Sequence, residues 1–402
     1  MKFIFKLLIL INLQFIFSLF LSLQITSVKA QTRIIFGNEQ TDKYLPLLKN
    51  KNVGIVANHT SVINNKHIVD SLLSLSIKIM KIFSPEHGFR GDIDAGEYFN
   101  DYIDSLTKIQ VISLYGKHLK PTQASLKNID IVIFDIQDVG VRFFTYISTL
   151  HNMMEACAEK GIEMLILDRP NPNGYYVDGP VLDPKFKSFV GKHPIPLVYG
   201  LTIGELALMI NGEGWLKNKI KCNLTIIPCI NYDHNTRFEL KINPSPNLNC
   251  TEAIYLYPSL GLFEGTIISV GRGTYYPFRI FGHPQYPDTS FYFIPQSIKG
   301  MSINPLYKNE KCYGVDLRNI DIKSLKNNLE INLNYIITAY NNFPDKNNFF
   351  NNFFNYLAGN DKLKEQIING KSADEIKKSW NNELEIYLQK RRKYLLYADF
   401  NN

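Results

Sequence analysis

The chain has few cysteines and lacks the short motifs that mark many cofactor-dependent and hydrolytic enzymes. Five cysteines in 402 residues are too few for a disulfide scaffold, and no C-x-x-C pair suggests zinc. The motifs G-x-G-x-x-G, G-x-x-x-x-G-K-[ST], G-x-S-x-G and H-E-x-x-H are all missing. Their absence disfavours a nicotinamide or flavin cofactor, a phosphate-binding loop, an α/β-hydrolase serine and a zincin site. We therefore expect neither a cofactor nor a metal.

The charge balance gives no sign of nucleic-acid binding. Lys2, Lys6 and Lys29 belong to a leader, and without them 41 basic residues stand against 37 acidic ones. The leader, residues 1–30, has a positive start, an uncharged apolar run from Leu7 to Val28 and a small residue, Ala30, at its end. This pattern predicts a signal peptide, an exported protein (periplasmic or extracellular) and no stable membrane association after cleavage. The alternative is a leader retained as a membrane anchor.

Short apolar runs alternate with helical periods between residue 53 and about residue 230. The predicted strands are Val53–Ala57, Ile77–Phe83, Gln110–Leu114, Ile129–Phe134, Glu163–Leu167 and Leu224–Ile227. Between them, spacings of three and four predict helices over Phe144–Lys160 and Thr202–Asn211. Near-continuous apolar strands separated by helices indicate an α/β fold with a mostly parallel sheet that is covered on both faces.

The character of the sequence changes after this region. Asn243–Asn247, with two prolines in five residues, predicts a linker. We therefore expect a catalytic domain over 31–250 and a smaller α+β domain over 251–402 that contributes to the cleft. The tail predicts a single helix from Ser372 to about Arg392, with Trp380 on its apolar face.

Polar loops follow most of the predicted strands. Because parallel strands end at one edge of a sheet, these loops predict a ligand site there. Their candidate site residues are Asn58, His59, Glu86, His87, Tyr115, Asp135, Asp138, Arg142, Arg169 and Asn171.

Carboxylates and arginines carry the chemistry of this candidate site. Glu86 has Pro85 and Phe89 close by in sequence, and a carboxyl group in such a setting can act as a general acid. Glu264, in the second domain, could face it across a cleft, and paired carboxylates are typical of glycosidases. Arg142, Arg169 and Arg272 could each bind a substrate carboxylate. The structural alternatives are a salt bridge between Glu86 and Arg90 and internal salt bridges for the other arginines.

A dispersed metal site is a further alternative for some of these residues. It would use His59, Glu86, His87 and Asp135, although the eight histidines of the chain show no ligand spacing.

Several long motifs, taken in order, resemble the secreted exo-β-N-acetylmuramidases of the NamZ family. They are Asn58-His59-Thr60, Ser84-Pro85-Glu86-His87-Gly88-Phe89, Ser113-Leu114-Tyr115-Gly116, Asp135-Ile136-Gln137-Asp138-Val139-Gly140, Arg142-Phe143-Phe144-Thr145-Tyr146, Asp168-Arg169-Pro170-Asn171-Pro172-Asn173-Gly174, Phe263-Glu264-Gly265-Thr266 and Gly271-Arg272-Gly273-Thr274. The resemblance runs from about residue 50 to Tyr397.

The resemblance implies a Rossmann-like catalytic domain followed by a smaller domain. It also implies release of terminal N-acetylmuramic acid from the non-reducing end of peptidoglycan fragments, with muropeptides or disaccharides that contain this sugar as substrates. Glu86 matches the proposed catalytic glutamate of the family. The second catalytic group could be Glu264, the acetamido oxygen of the substrate, or a water held by His59 or Asp135.

Two other functions fit parts of the sequence. One is a non-catalytic muropeptide-binding protein of the periplasm, which would bind the same sugars without releasing product. The other is a metal-dependent hydrolase of the lactyl–peptide bond, which a chelator would inactivate.

Overall fold

A mostly parallel β-sheet is the framework of the chain. The computed structural model describes residues 33–91 and 99–400, so the leader predicted over 1–30 lies outside the described residues. The strands, in chain order, are β1 (Val53–Ala57), β2 (Val62–Ile63), β3 (Lys66–His67), β4 (Ile79–Ser84), β5 (Tyr102–Ile103), β6 (Gln110–Ser113), β7 (Ile131–Asp135), β8 (Glu163–Leu167), β9 (Leu224–Ile227), β10 (Ile280–His283), β11 (Tyr292–Phe293) and β12 (Cys312–Asp316).

Within the described residues, seven strands form one sheet in the order β5-β6-β4-β1-β7-β8-β9. Strand β5 is antiparallel to its neighbour, and the other six strands run parallel. Counted along the chain, the parallel strands have the order 3-2-1-4-5-6, which is the order of Rossmann folds. The strand order reverses between β1 and β7, where such folds bind ligands. The predicted α/β class and Rossmann-like sheet are confirmed.

Both faces of the sheet are buried, which explains the near-continuous apolar strands. In β1, Val56 packs into one hydrophobic cluster and Ile55 into another on the opposite face. In β7, Val132 and Ile133 divide in the same way. All four side chains are fully buried, and each contributes about 1.5–3 kcal/mol of hydrophobic stabilisation.

Helices cover the sheet and build most of the C-terminal region. In chain order they are α1 (Thr41–Leu48), α2 (Ile68–Ser74), α3 (Tyr146–Lys160), α4 (Ile203–Gly212), α5 (Thr251–Leu260), α6 (Ile322–Asn327), α7 (Asn334–Asn342), α8 (Phe354–Ala358), α9 (Lys362–Ile368), α10 (Ala373–Lys378) and α11 (Asn381–Arg391). Helix α4 begins after Thr202, whose hydroxyl accepts from the Glu205 backbone N–H while the Glu205 carboxylate accepts from the Thr202 N–H. This reciprocal cap explains why the helix starts there.

The C-terminal region adds a small antiparallel sheet, β10-β12-β11, and shares a core with the parallel sheet. One hydrophobic cluster contains Val56 of β1 together with Phe263, Phe354 and Trp380. The described residues from Ile35 onward accordingly group as one compact unit. The domain boundary at residue 250 stays a prediction.

The prediction of one continuous tail helix from Ser372 to Arg392 was wrong. The structure has two helices, α10 and α11, separated by Ser379 and Trp380. The Ser379 hydroxyl donates to the Ile376 carbonyl at 2.6 Å, a local bond that competes with helix continuation. Trp380 is buried and turns out of helical geometry at φ −107° and ψ 0°.

The segment Asn243–Asn247, predicted as a linker, is packed rather than solvated, and its role as a domain boundary stays a prediction. Pro244, Ser245 and Asn247 are buried, so this segment packs inside the molecule. Its two prolines lack N–H groups, and its irregular backbone is stabilised by contacts with neighbouring segments rather than by solvent.

Cys157 lies in the core, as predicted. In the described part of the chain all five cysteines are free thiols. Among residues 33–91 and 99–400, no helix has the length and apolar character needed to cross a bilayer.

Candidate active site

A small cavity lies where the C-terminal edge of the parallel sheet meets the C-terminal region. Its volume is about 60 Å³, which holds a few water molecules or one small substituent. The residues that line it are Glu86, His87, Phe143, Phe144, Thr145, Tyr146, Ser245, Asn247, Leu248, Tyr257, Arg272 and Phe278. Four parts of the chain therefore contribute to the cavity: the loop after β4, the start of α3, the segment 243–247, and residues of the C-terminal region such as Tyr257 and Arg272.

Glu86 is held by a sharp turn directly after β4. His87 has φ of +72° and Gly88 has φ of +79°, so two successive residues are left-handed. This conformation is uncommon for a residue other than glycine and is typical of functional sites. The turn leaves Glu86 half-buried at the cavity, beside the buried His87. The structure thus brings both predicted residues to one place.

Thr145 fixes the carboxylate of Glu86. Its hydroxyl donates to Glu86 Oε2 at 3.1 Å. Thr145 immediately precedes α3, where a threonine usually caps the helix, but here its side chain makes no capping bond. The hydroxyl is therefore used for the carboxylate instead of the helix end.

The salt bridge between Glu86 and Arg90 is not formed. Arg90 Nε and Nη2 each donate to the Asp104 carboxylate at 3.0 Å, and Nη1 lies 3.8 Å from Asp70. This two-pronged pairing uses the guanidinium elsewhere. The structural alternative for Glu86 is accordingly wrong.

Arg272 lines the cavity and pairs with Glu264. Its Nε donates to Glu264 Oε1 at 2.7 Å, and the two side chains are 28% and 24% exposed. Burial acts to lower the pKa of Arg272, but the Glu264 carboxylate outweighs that effect and holds the pKa above its ordinary value. Glu264 is not among the described residues that line the cavity, whereas Arg272 is. The arginine is therefore the member of this pair that reaches the cavity.

Arg142 is a structural residue in this protein. It is fully buried, and its guanidinium donates at 2.7–3.0 Å to the carbonyls of Pro180, Ile195, Leu357 and Ala358. Burial lowers its pKa to about 9. A guanidinium with four carbonyl partners and no surface is unavailable to a substrate, so the predicted binding role of Arg142 is corrected.

Asp135 and Arg169 form a buried ion pair. Arg169 Nε donates to Asp135 Oδ1 at 2.6 Å, and the other carboxylate oxygen accepts from Asn38 at 3.1 Å. Neither side chain is more than 4% exposed. The pair stabilises the loops after β7 and β8, because removing one partner would leave an uncompensated buried charge. The structure does not bring either residue to the cavity.

Asp138 and Asn171 also support the loops. Asp138 accepts from the Tyr199 hydroxyl and from the Gly140 N–H, and burial raises its pKa to about 7. Asn171 donates to the Leu201 carbonyl at 2.8 Å. Gly140 has φ of +76°, and a Cβ there would lie 2.2 Å from the Asn171 side chain, so this position requires glycine.

The three remaining predicted residues, Asn58, His59 and Tyr115, do not line the cavity. Asn58 Oδ1 accepts from the Thr60 N–H and hydroxyl at 2.9 and 2.6 Å. His59 Nε2 lies 2.8 Å from the Asn243 carbonyl, and burial lowers the pKa of the ring. The ring is thus neutral at pH 7, with its proton on Nε2. Tyr115 is half-buried after β6.

Sequence reasoning missed the site residues in the segment 243–247. Two carbonyls of this segment are bonded: that of Asn243 lies 2.8 Å from His59 Nε2, and that of Pro244 accepts from the Tyr146 hydroxyl at 3.4 Å. Ser245 and Asn247 line the cavity and are only 4% and 2% exposed. One signal was present, because residues 242–251 contain no charged side chain, which is unusual for a solvated linker.

Comparisons with known proteins agree along most of the chain. Residues 53–252 match the family model described as exo-β-N-acetylmuramidase NamZ, N-terminal, and residues 255–397 match its C-terminal counterpart. The peptidoglycan β-N-acetylmuramidase NamZ of Bacillus subtilis (strain 168) is 39% identical over 372 residues, which cover 88% of this chain and 89% of that protein.

Two crystal structures of DUF1343 family proteins from Bacteroides fragilis NCTC 9343 are similar in fold. One has a TM-score of 0.85 and 49% identity, and the match covers 92% of this chain and all of that one. The other has a TM-score of 0.78 and 29% identity, with 91% and 99% of the two chains covered.

Proposed function

The chain belongs to the exo-β-N-acetylmuramidase NamZ family, as its motifs predicted, and we propose that it releases terminal N-acetylmuramic acid from the non-reducing end of peptidoglycan fragments. It is a glycoside hydrolase, and its substrates are muropeptides or disaccharides that contain N-acetylmuramic acid.

The observation that carries this proposal is that Glu86 and Arg272 share one cavity. N-acetylmuramic acid differs from N-acetylglucosamine by a lactyl group, whose carboxylate is negatively charged in fragments that carry no peptide. A guanidinium binds such a carboxylate well, and its five N–H donors allow Arg272 to serve the substrate and Glu264 together. Of the three arginines that the sequence suggested for this role, Arg272 alone remains.

Glu86 acts as the general acid in this mechanism. Protonated, it donates to the glycosidic oxygen as the bond to the anomeric carbon breaks, and the acetamido oxygen of the substrate captures the oxocarbenium-like carbon from the other face. Water then adds to the anomeric carbon of this cyclic intermediate and gives a proton to the Glu86 carboxylate, which releases N-acetylmuramic acid and restores the acid. Thr145 keeps the carboxyl group oriented through the bond at 3.1 Å. The aromatic residues Phe143, Tyr146 and Tyr257 line the same cavity and leave little room for water.

The contacts of Asp135 and Glu264 support one proposal for the second catalytic group. Asp135 is fully buried and paired with Arg169, so it cannot hold the attacking water. Glu264 is paired with Arg272 and does not line the cavity, which favours the acetamido oxygen of the substrate as the nucleophile. His59 donates through Nε2 to the Asn243 carbonyl, but its buried Nδ1 has no partner among residues 33–91 and 99–400, so a water held by His59 stays an alternative.

Turnover of a chromogenic N-acetylmuramic acid glycoside tests the proposal, with the N-acetylglucosamine analogue beside it. We expect hydrolysis of the first compound and at least tenfold lower kcat/KM for the second. Glu86→Gln should reduce kcat by about 10³-fold or more and leave the melting temperature unchanged, because the amide cannot donate the required proton.

A matched control is Glu163→Gln, which removes a carboxylate at the opposite edge of the sheet, where Glu163 pairs with Lys51 at 2.9 Å. This variant should retain full activity. Saturable binding without any product would instead support the muropeptide-binding protein. Inactivation by a chelator with release of peptide would support the metal-dependent hydrolase.

Export is part of the same proposal. Peptidoglycan lies outside the cytoplasm, and residues 1–30 have the pattern of a signal peptide. A mature protein that begins at Gln31, determined by N-terminal sequencing of protein recovered from the cell envelope or medium, tests this point.

A further inference from the structure

Asn247 presents an unpaired acceptor in the cavity. The residue lines the cavity and is only 2% exposed. Its Nδ2 donates to the Met301 carbonyl at 2.9 Å. Because a carbonyl can only accept, this bond fixes which end of the amide is nitrogen and which is oxygen. The buried Oδ1 receives no hydrogen bond from any residue in 33–91 or 99–400.

An acceptor left in this state is unfavourable until a ligand supplies a donor. Buried polar atoms in native proteins are nearly always paired, and an exception calls for a ligand, a water or a catalytic role. The surrounding segment is rigid, since Asn243 and Pro244 bond His59 and Tyr146 through their carbonyls and the prolines fix the backbone. The Asn247 acceptor is therefore held in place before a ligand arrives.

The chemistry of the sugar ring identifies the donor. The proposed function places the anomeric carbon, C1, at Glu86 and the lactyl group on C3 at Arg272. The acetamido group is attached to C2, between these two positions, and it carries the single N–H of the sugar. A cavity of about 60 Å³ with aromatic walls suits a substituent of this size, with its methyl group against Phe143 and Tyr257.

We propose that Asn247 Oδ1 accepts a hydrogen bond from the acetamido N–H of the substrate and that Asn247 is thereby a specificity-determining residue for N-acetylated sugars. The inference rests on the proposed function and deepens it. It assigns to the segment 243–247 the recognition of the C2 substituent.

The test is calorimetric binding of two sugars, which avoids any contribution from catalysis. The first is free N-acetylmuramic acid, and the second is its analogue with a 2-O-acetyl ester, which has the same shape but lacks the N–H. We expect the wild-type protein to bind the first sugar about 10- to 100-fold more tightly, since the ester leaves the buried acceptor unpaired. In Asn247→Ala the two affinities should agree within about twofold.

Asn249→Ala is the matched control. Asn249 also donates through Nδ2 to a carbonyl, that of Tyr275 at 3.1 Å, and its Oδ1 is likewise unpaired within the described part of the chain, yet it does not line the cavity. This variant should keep the wild-type preference. Asn247→Ser serves as a second variant if the alanine variant does not fold.

Two results would overturn the inference: a wild-type protein that binds both sugars equally, or an Asn247 variant that retains the preference. Failure of the proposed function gives a different result, because the wild-type protein would then bind neither sugar and hydrolyse no muramic acid glycoside.

Discussion

A pair of lysine substitutions distinguishes the arginine of the fold from the arginine of the site. Arg142 donates to four carbonyls from a fully buried position, whereas Arg272 faces the cavity and makes one ion pair that is about one quarter exposed. Lysine keeps the charge in both cases but replaces the planar fork of donors by a single ammonium group. The two substitutions should therefore affect different properties.

The magnitudes follow from the contacts. A hydrogen bond from a charged donor contributes about 1.5–3 kcal/mol, so the loss of two of the four bonds in Arg142→Lys costs about 3–6 kcal/mol. With an unfolding entropy of about 2.1 cal/mol/K per residue, this lowers the melting temperature of a unit of this size by about 4–8 °C. Arg272→Lys should cost less than about 1 kcal/mol, since partly exposed ion pairs contribute little.

The kinetic expectation is the reverse. Arg272→Lys should reduce kcat/KM for the muramic acid glycoside about tenfold, mainly through KM, and should leave the glucosamine analogue unaffected. Arg142→Lys should leave kcat/KM within about threefold of the wild type when both proteins are assayed well below their melting temperatures. Differential scanning calorimetry and initial-rate measurements provide the two readouts. The reasoning fails if Arg142→Lys melts with the wild type but loses the preference for the lactyl group.

Two further predictions concern Glu86 and Asp138. Thr145→Val removes the hydroxyl that donates to Glu86 and keeps the size of the side chain. We expect kcat to fall about three- to tenfold, with KM and the melting temperature unchanged. A variant with the kcat of the wild type would contradict the positioning role of Thr145. Burial raises the pKa of Asp138 to about 7, whereas an aspartate in an unfolded chain has a pKa of about 4. The protonated form therefore contributes stability that is fully present below about pH 4 and is lost as the pH rises to about 7. Asp138→Asn should reduce this pH-dependent loss of unfolding free energy, measured by urea unfolding between about pH 4 and about pH 7, by up to about 4 kcal/mol. The same dependence of unfolding free energy on pH in both proteins would contradict the assignment.

Local sequence patterns were sufficient to predict the sheet. Strands β1, β8 and β9 have the predicted bounds, because each is a short apolar run buried on both faces between turn-forming residues. The predicted helix from Phe144 begins two residues later, at Tyr146. The prediction of a continuous tail helix was wrong because hydrophobic periodicity does not reveal the bond from the Ser379 hydroxyl to the Ile376 carbonyl.

The site was only partly predictable because its partners are far apart in sequence. The position of Glu86 follows from the end of β4, and a polar loop at that edge is visible in the sequence. The partners of Arg142 at Leu357 and Ala358 are 215 and 216 residues away, and no spacing rule connects them. Nor does composition distinguish a solvated linker from the buried segment that carries Asn247.

The three arginines show why residue type alone does not identify a binding site. All three follow glycine- or aspartate-containing motifs, but the local surroundings give each a different role. Four backbone carbonyls accept from Nη1 and Nη2 of Arg142, and Asp135 neutralises Arg169 away from solvent. Arg272 differs because it pairs with a carboxylate and also lines the cavity. The Glu264 carboxylate removes the cost of a bare buried charge, and the remaining N–H donors of the guanidinium are suited to a carboxylate of the ligand.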